Sequence, residues 1–354
     1  MGCLFSSCFP RVTELLTICD KSTPDLSQLF AFPRDLTWMI LDYVPESIPQ
    51  LRLGSRALRS LVEEYVLNRV PRALVQDLTL TFKKTSHEWE TMVISMEISP
   101  NAAKLFAWRI LSLRPPDLKR LHFHKKQKRD AAWMVYYLKF FVLDNDDILA
   151  VFLSELIRED IGRAVIQCDN TFYFCAKILE RFRFDKLKIV TNVLSDLNAT
   201  NILAMIEMHA IDQLYLIVRK NVTSDPVNFL LRLSAQLQSL LIEQLGEYAE
   251  DNAKSIFDAP EIDWGPIILE MLSGKLHTLF LINCWIFGYM SRPSVIEFSE
   301  RLASLEKSIW FSAAFEQCEE EPPFVSNGNT VKVVCSPERF YGASVKNLSR
   351  STIS

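Results

Sequence analysis

The chain has 354 residues, enough for one small module followed by one larger domain. Hydrophobic residues make up 49% and charged residues 23%, a mixture typical of a globular protein with a sizeable core. The 39 basic and 43 acidic residues give a net charge of −4, which predicts no general attraction to nucleic acid or anionic membranes. The 8 cysteines include no Cys-x-x-Cys pair, so a disulfide scaffold or zinc ribbon is disfavoured.

Residues 1–28 form a lead segment that opens with a lipidation pattern. Gly2 is in the position of a myristoyl acceptor, Ser6 follows at the required spacing, and Cys3 can add a palmitoyl chain. One myristoyl chain binds membranes only marginally, so the second chain matters. A buried or clipped amino terminus would leave the pattern unused. With no secretory signal or membrane-spanning run, we expect a cytoplasmic or nuclear protein, associated with membranes if it is acylated.

Residues 29–69 carry the most specific pattern, that of a short helical module. The first helix begins at Pro33, a position that needs no amide donor, and ends before Pro45. A second short helix covers 48–53, and a third runs from Ser55, a suitable N-cap, to about residue 67. Three helices of this size bury little core, so such a module usually needs a partner.

Apolar residues recur at helical spacing along the first of these helices. Leu36, Ile40, and then Tyr43 or Val44 are expected to form one apolar stripe. Because a small module cannot bury much apolar surface by itself, we expect this surface to be a binding site.

The module resembles the F-box, a helical unit of about 40 residues that binds the Skp-type adaptor of cullin-based ubiquitin ligases. Gly54 departs from the family's Val or Cys and Leu58 from its Trp, which we expect to weaken packing of the third helix and lower adaptor affinity. The matching positions are Phe32-Pro33 for the opening Leu-Pro pair, Leu36, Ile40, Val44-Pro45, Leu51-Arg52 and Ser55-Arg56.

The whole chain looks like the divergent nematode-type F-box proteins, in which a variable repeat-like domain follows the box. The resemblance implies a non-catalytic substrate receptor whose partners are a Skp-type adaptor, a cullin scaffold and a target protein. A plain three-helix cap on the following domain is the alternative. The residues that the resemblance assigns to adaptor binding are Phe32, Pro33, Leu36, Ile40, Leu41, Pro45, Ile48, Leu51 and Leu53.

Residues 70–335 alternate short strands with helices and repeat one apolar cassette. An apolar residue is followed by a second three positions later and by a third two positions further on. The last two share one face of a strand, since strand side chains alternate between faces. The middle members of the cassettes are Leu78, Leu121, Ala164, Leu187, Leu214, Leu240 and Leu279.

Strand–helix units of about 20 to 29 residues are typical of leucine-rich repeats, which stack into a parallel sheet. The predicted fold is therefore α/β, with the F-box followed by a degenerate leucine-rich-repeat-like array. A doubly wound α/β sheet also alternates strands and helices and is the alternative. Residues 336–354, rich in serine and basic residues, are expected to form a flexible tail.

Other candidate chemistry is sparse. The basic cluster Lys125, Lys126, Lys128 and Arg129 is either a solvated loop or a site for an acidic or phosphorylated target. No metal-ligand set, phosphate loop or nucleophile motif is evident, so no catalytic residue, metal or cofactor is predicted. A leucine-rich-repeat scaffold without adaptor binding is the alternative function. A third possibility, an α/β hydrolase or transferase, would need catalytic side chains that converge at the strand ends, and the sequence offers no such set.

Overall fold

The chain divides into two compact units, residues 1–73 with 102–114, and residues 74–101 with 115–354. The sequence prediction placed a boundary at 69/70 and did not anticipate that 102–114 join the helical module. The structure is a computed structural model that describes residues 31–44, 47–84, 90–99, 106–107, 109–110, 113, 122–127, 134–141, 146–168, 172–245, 256–257, 262–286, 297–298, 300–302, 304–305, 309–315, 324–326, 329–335 and 341–347.

The described part of the first unit includes three helices, α1 (Arg34–Tyr43), α2 (Ile48–Gly54) and α3 (Arg56–Arg69). Ser55 is the N-cap of α3, and its side-chain oxygen accepts a hydrogen bond from the amide of Leu58 at 3.1 Å. The helices bury a small core between them, made of Leu41, Ile48, Val62, Tyr65, Val66 and Val70.

The second unit is a mixed α/β structure. Its described helices are α4 (Asp146–Leu156), α5 (Phe172–Leu179), α6 (Asp196–His209), α7 (Pro226–Gln236) and α8 (Trp264–Ser273). Its strands are β1 (Ala73–Lys84), β2 (Glu90–Ile98), β3 (His122–Gln127), β4 (Met134–Phe141), β5 (Ile157–Gln167), β6 (Lys186–Leu194), β7 (Gln213–Asn221), β8 (Ser239–Gln244), β9 (Thr278–Ile286), β10 (Trp310–Phe315), β11 (Phe324–Ser326), β12 (Asn329–Cys335) and β13 (Tyr341–Asn347).

The strands form one 13-stranded sheet in the order β11-β12-β13-β10-β9-β8-β7-β6-β5-β1-β2-β4-β3. Neighbours from β5 to β10 are parallel. The hydrogen bonds Arg163–Asp77 and Gln167–Thr81 both join residues 86 apart in sequence, a constant separation that makes β1 parallel to β5. β2, β4 and β3 extend one end in antiparallel fashion, as β13, β12 and β11 extend the other.

The apolar cassettes predicted from the sequence align across the parallel strands. Ala164, Leu187, Leu214, Leu240 and Leu279 pair in that order, and Leu279 then pairs with Phe311. The third members of the cassettes form a second row, which contains Ile166, Ile189, Leu216, Ile242 and Leu281. All the residues of both rows are at most 3% exposed, so they form a buried apolar ladder.

Backbone hydrogen bonds before each strand hold the ladder in register. The carbonyl of Asp185 accepts from the amides of Asp212 and Gln213, both at 3.0 Å. In the same way, the carbonyl of Asp212 accepts from backbone amides at the start of β8, and the carbonyl of Gln238 accepts from those at the start of β9. Because each strand begins bonded to the equivalent point of the preceding strand, a slip by one residue would break these bonds and turn the ladder to the other face.

Two sequence predictions differ from the structure in this unit. Leu121 lies outside the described residues, and Phe123 belongs to β3, an antiparallel strand at the end of the sheet. An apolar spacing of three and then two fits any strand and does not determine its direction, which the paired strand decides. The predicted flexible tail contains β13, which pairs with β10 and β12.

Leu240→Ala tests the ladder. Leu240 is 0% exposed, so we expect truncation to lower the free energy of unfolding by about 2 to 5 kcal/mol, through lost burial and the cavity left behind. Leu197→Ala is the matched control, because Leu197 is 68% exposed, and should change it by less than about 0.5 kcal/mol. Denaturant unfolding measures both. Equal losses for the two variants would contradict the buried ladder.

Candidate partner-binding site

Helix α1 carries apolar residues on two of its sides. On the inner side, Leu41 is 1% exposed, and Trp38 and Val44 pack partly buried against the core of the first unit. On the outer side, Leu36, Met39 and Tyr43 are 47%, 48% and 75% exposed. Residues at these spacings share one helix face, so the three form a continuous stripe.

Phe32, which precedes α1, is 48% exposed. We call Phe32, Leu36, Met39 and Tyr43 the α1 ridge. An isolated apolar residue on a surface needs no explanation, but a contiguous apolar stripe of this kind is typical of a binding surface. The α1 ridge is therefore the candidate site of the first unit.

The structure separates the residues that the F-box resemblance assigned to adaptor contact. Phe32, Pro33 and Leu36 are exposed, as is Leu53 at 76%, while Ile40 and Leu51 are partly buried. Pro45 lies outside the described residues.

Leu41 and Ile48 are each 1% exposed, so in the chain alone neither offers surface for the direct contact that the resemblance predicted. They belong to the unit's own core and support the surface from beneath. The physical reason is helical geometry: Leu41 lies on the opposite side of α1 from the outer stripe, and Ile48 packs in the core shared with α3. Met39 and Tyr43, which the resemblance did not assign to adaptor binding, are exposed and join the candidate residues.

Polar contacts fix α1 against α3. The phenol of Tyr65 donates a hydrogen bond to Asp42 Oδ1 at 2.6 Å, and Arg34 pairs with Glu64 at 2.7 Å. Burial, and then the bond to Asp42, raises the pKa of the Tyr65 phenol well above its ordinary value, so Tyr65 remains a donor at neutral pH. The ridge is thus presented by a helix that is tied to the rest of the unit.

The two departures from the F-box pattern are neighbours in space. A Cβ added at Gly54 would lie 3.1 Å from Leu58 Cδ1, and Leu58 is only 4% exposed. Leu58 therefore occupies the space that a larger residue at position 54 would need, and the weaker packing of the third helix stays a prediction. The lower adaptor affinity stays a prediction.

Arg109 is a buried residue that the sequence did not single out. It is 1% exposed, and its guanidinium donates hydrogen bonds to the carbonyl of Val66, at 2.8 Å, and to that of Val70. These carbonyls lie at the C-terminal end of α3, where the helix dipole favours a positive charge. Arg109 lies far from α3 in sequence and in no recognisable motif, so no local signal could have revealed it.

Of the remaining predicted site residues, the structure describes two. Lys125 and Lys126 lie in β3, at the end of the sheet, while Lys128, Arg129, Gly2 and Cys3 lie outside the described residues. Across the described ranges, no three His, Cys, Asp or Glu side chains are grouped so that they could hold a metal ion. Over the same ranges, no helix combines the length and apolar character needed to cross a membrane.

No protein-family model, curated protein or solved structure matches this chain.

Arg109→Met tests the internal support of the helical unit. It keeps most of the side-chain length but removes the donors, leaving buried carbonyls without their bonds, so we expect a loss of about 1 to 3 kcal/mol in this unit's stability. Hydrogen exchange of the α3 amides measures it. Arg59→Met, at an exposed position of α3, is the control and should leave exchange unchanged. Equal exchange in both variants would show that Arg109 does not stabilise α3.

Proposed function

We propose that this chain is the substrate-recognition subunit of a Skp-cullin-F-box type ubiquitin ligase. The helical unit docks on a Skp-type adaptor, and the strand–helix array binds the target protein. The chain itself performs no chemistry, since ubiquitin transfer belongs to partners on the cullin scaffold. The single observation that carries the proposal is the exposure of the α1 ridge beside a complete small core.

The ridge has the properties of an interface anchor. Burying apolar surface is favourable by about 25 cal/mol per Å², and interface energy is concentrated in a few large residues that a partner desolvates fully. Tyr43, 75% exposed, and Phe32 are aromatic residues of the type enriched at such positions. Because the contacts of Leu41, Asp42 and Tyr65 hold α1 in place, little ordering cost remains to be met on binding.

The proposed target domain is a degenerate leucine-rich-repeat-like array. Two observations support it: the cassettes align in one ladder, and the parallel strands follow chain order from β5 to β10 without reversal. A doubly wound sheet reverses its strand order at a switch point, and no such reversal occurs among these strands.

Location and further contacts belong to the same proposal. The receptor acts in the cytoplasm or nucleus, and acylation of Gly2 and Cys3 would bring it to a membrane surface. Lys125 and Lys126 remain candidates for contact with an acidic or phosphorylated part of the target.

An interaction scaffold without adaptor binding is the second candidate. Its favouring observation is that Leu41 and Ile48 complete a core within the helical unit, as the helices of a plain cap would. The two candidates differ in a simple measurement, because only the receptor binds a Skp-type adaptor.

Titration of the full chain with a purified Skp-type adaptor tests the proposal. We expect the wild-type chain to bind, and Leu36→Asp combined with Tyr43→Asp to weaken binding by about tenfold or more, because two anchor side chains are replaced by charges. Leu197→Asp is the matched control, since Leu197 is also an exposed helical leucine.

The control should bind the adaptor like the wild-type chain. Failure of the wild-type chain to bind, or equal binding by the ridge variant, would overturn the receptor proposal and leave the scaffold.

A further inference from the structure

The parallel sheet has one face that its connecting helices do not cover. From β5 to β9 each strand is followed by a helix and then by the adjacent parallel strand. Such connections are almost always right-handed, so a strand order that never reverses puts α5 to α8 on the same side. The buried ladder faces these helices. The residues of β6 to β9 that alternate with the ladder form the other side, which we call the open face.

The strand register arranges the open face into rows. Lys188 pairs with Tyr215, Tyr215 with Leu241, and Leu241 with Phe280. Neighbouring strands lie about 4.8 Å apart, so this row spans about 14 Å, roughly the length of four residues of an extended peptide. It begins with a cation on β6 and ends with apolar side chains on β8 and β9.

Tyr215 is held at the centre of this row. Lys188 Nζ lies 4.4 Å from the centroid of the Tyr215 ring, and the Tyr215 phenol donates a hydrogen bond to Glu243 on β8. Burial, and then the contact with Glu243, raises the pKa of Tyr215 to about 12, so the phenol remains a donor at neutral pH. An aromatic ring fixed in this way contacts a partner at little cost in side-chain entropy.

On its β6 and β7 side, the open face carries a net positive charge. Lys186 and Arg219 are exposed, and neither has an ion-pair partner within the part of the chain that the structure describes. Asp77 on β1 is paired with the cation Arg163. Glu243 on β8 accepts from the neutral phenol of Tyr215 and keeps its charge, but Lys186, Lys188 and Arg219 outnumber it. On the other side, Ile282 is 40% exposed beside the partly buried Leu241 and Phe280.

We propose that the open face binds a protein segment in which acidic residues lie next to apolar ones. The acidic residues contact Lys186, Lys188 and Arg219, and the apolar residues contact Leu241, Phe280 and Ile282. This names the chemical class of the target, and so rests on the assignment of target binding to the strand–helix array under the proposed function. The match of charge to charge and of apolar to apolar surface specifies the occupant and its orientation.

Selection from a displayed library of random 12-residue peptides on the immobilised full chain tests the proposal. We expect the enriched peptides to combine Asp or Glu with large apolar residues. Their affinity, measured by fluorescence polarisation of the most enriched peptide, should fall with added salt, because surface charge pairs are screened. No enrichment, or enrichment of basic or uncharged peptides, would overturn the proposal.

Charge reversal locates the site. Lys186→Glu with Arg219→Glu should weaken binding of that peptide by about tenfold or more, since attraction becomes repulsion. The control combines Arg181→Glu, in the turn after α5, with Arg232→Glu, in α7. It reverses two other exposed charges and should change affinity less than twofold. Equal losses in the two double variants, or none in the first, would contradict binding at the open face.

The same variants separate this inference from the proposed function. The Lys186→Glu and Arg219→Glu chain should still bind the Skp-type adaptor, and the Leu36→Asp and Tyr43→Asp chain should still bind the peptide. If the wild-type chain binds the peptide but not the adaptor, the receptor proposal fails and the open face remains a peptide site. If it binds the adaptor but not the peptide, the open-face proposal fails and the receptor proposal remains.

Discussion

A short helix packed against a small core buries only one of its sides, and α1 carries large apolar residues on two. The core of Leu41, Ile48 and their neighbours is complete without the outer stripe. Leu36, Met39 and Tyr43 therefore remain in contact with water unless another molecule covers them. The proposed adaptor site follows from this excess of apolar surface. The contacts of Arg34 and Asp42 on α1 with Glu64 and Tyr65 on α3 keep that surface in one orientation.

The second unit depends on register in a similar way. Backbone bonds from Asp185, Asp212 and Gln238 start each strand at the same level as its neighbour. The ladder residues then lie buried on one side of the strands, and the residues that alternate with them lie on the other side. The pairing of Lys188, Tyr215 and Glu243 across three strands is a consequence of that alignment, because a slip by one residue would turn these side chains inward.

Local periodicity explains what could be predicted from the sequence. The helices of 29–69 and the ladder from Ala164 to Leu279 depend on spacing within a few residues, and both are present. The sequence could not show which side of α1 faces the core, because Leu36 with Tyr43 and Leu41 with Val44 fit the helical period equally well. Arg109 and the antiparallel strand β13 could not be found either, because each depends on partners distant in the chain.

The most direct measurement is site-specific photo-crosslinking of the full chain mixed with a Skp-type adaptor. A benzophenone amino acid replaces either Tyr43 or Tyr173, two tyrosines that are 75% and 68% exposed. Because only Tyr43 belongs to the α1 ridge, our account predicts a crosslink to the adaptor from position 43 and none from position 173. A complex that forms without a crosslink from position 43, or that crosslinks equally from both positions, would contradict it.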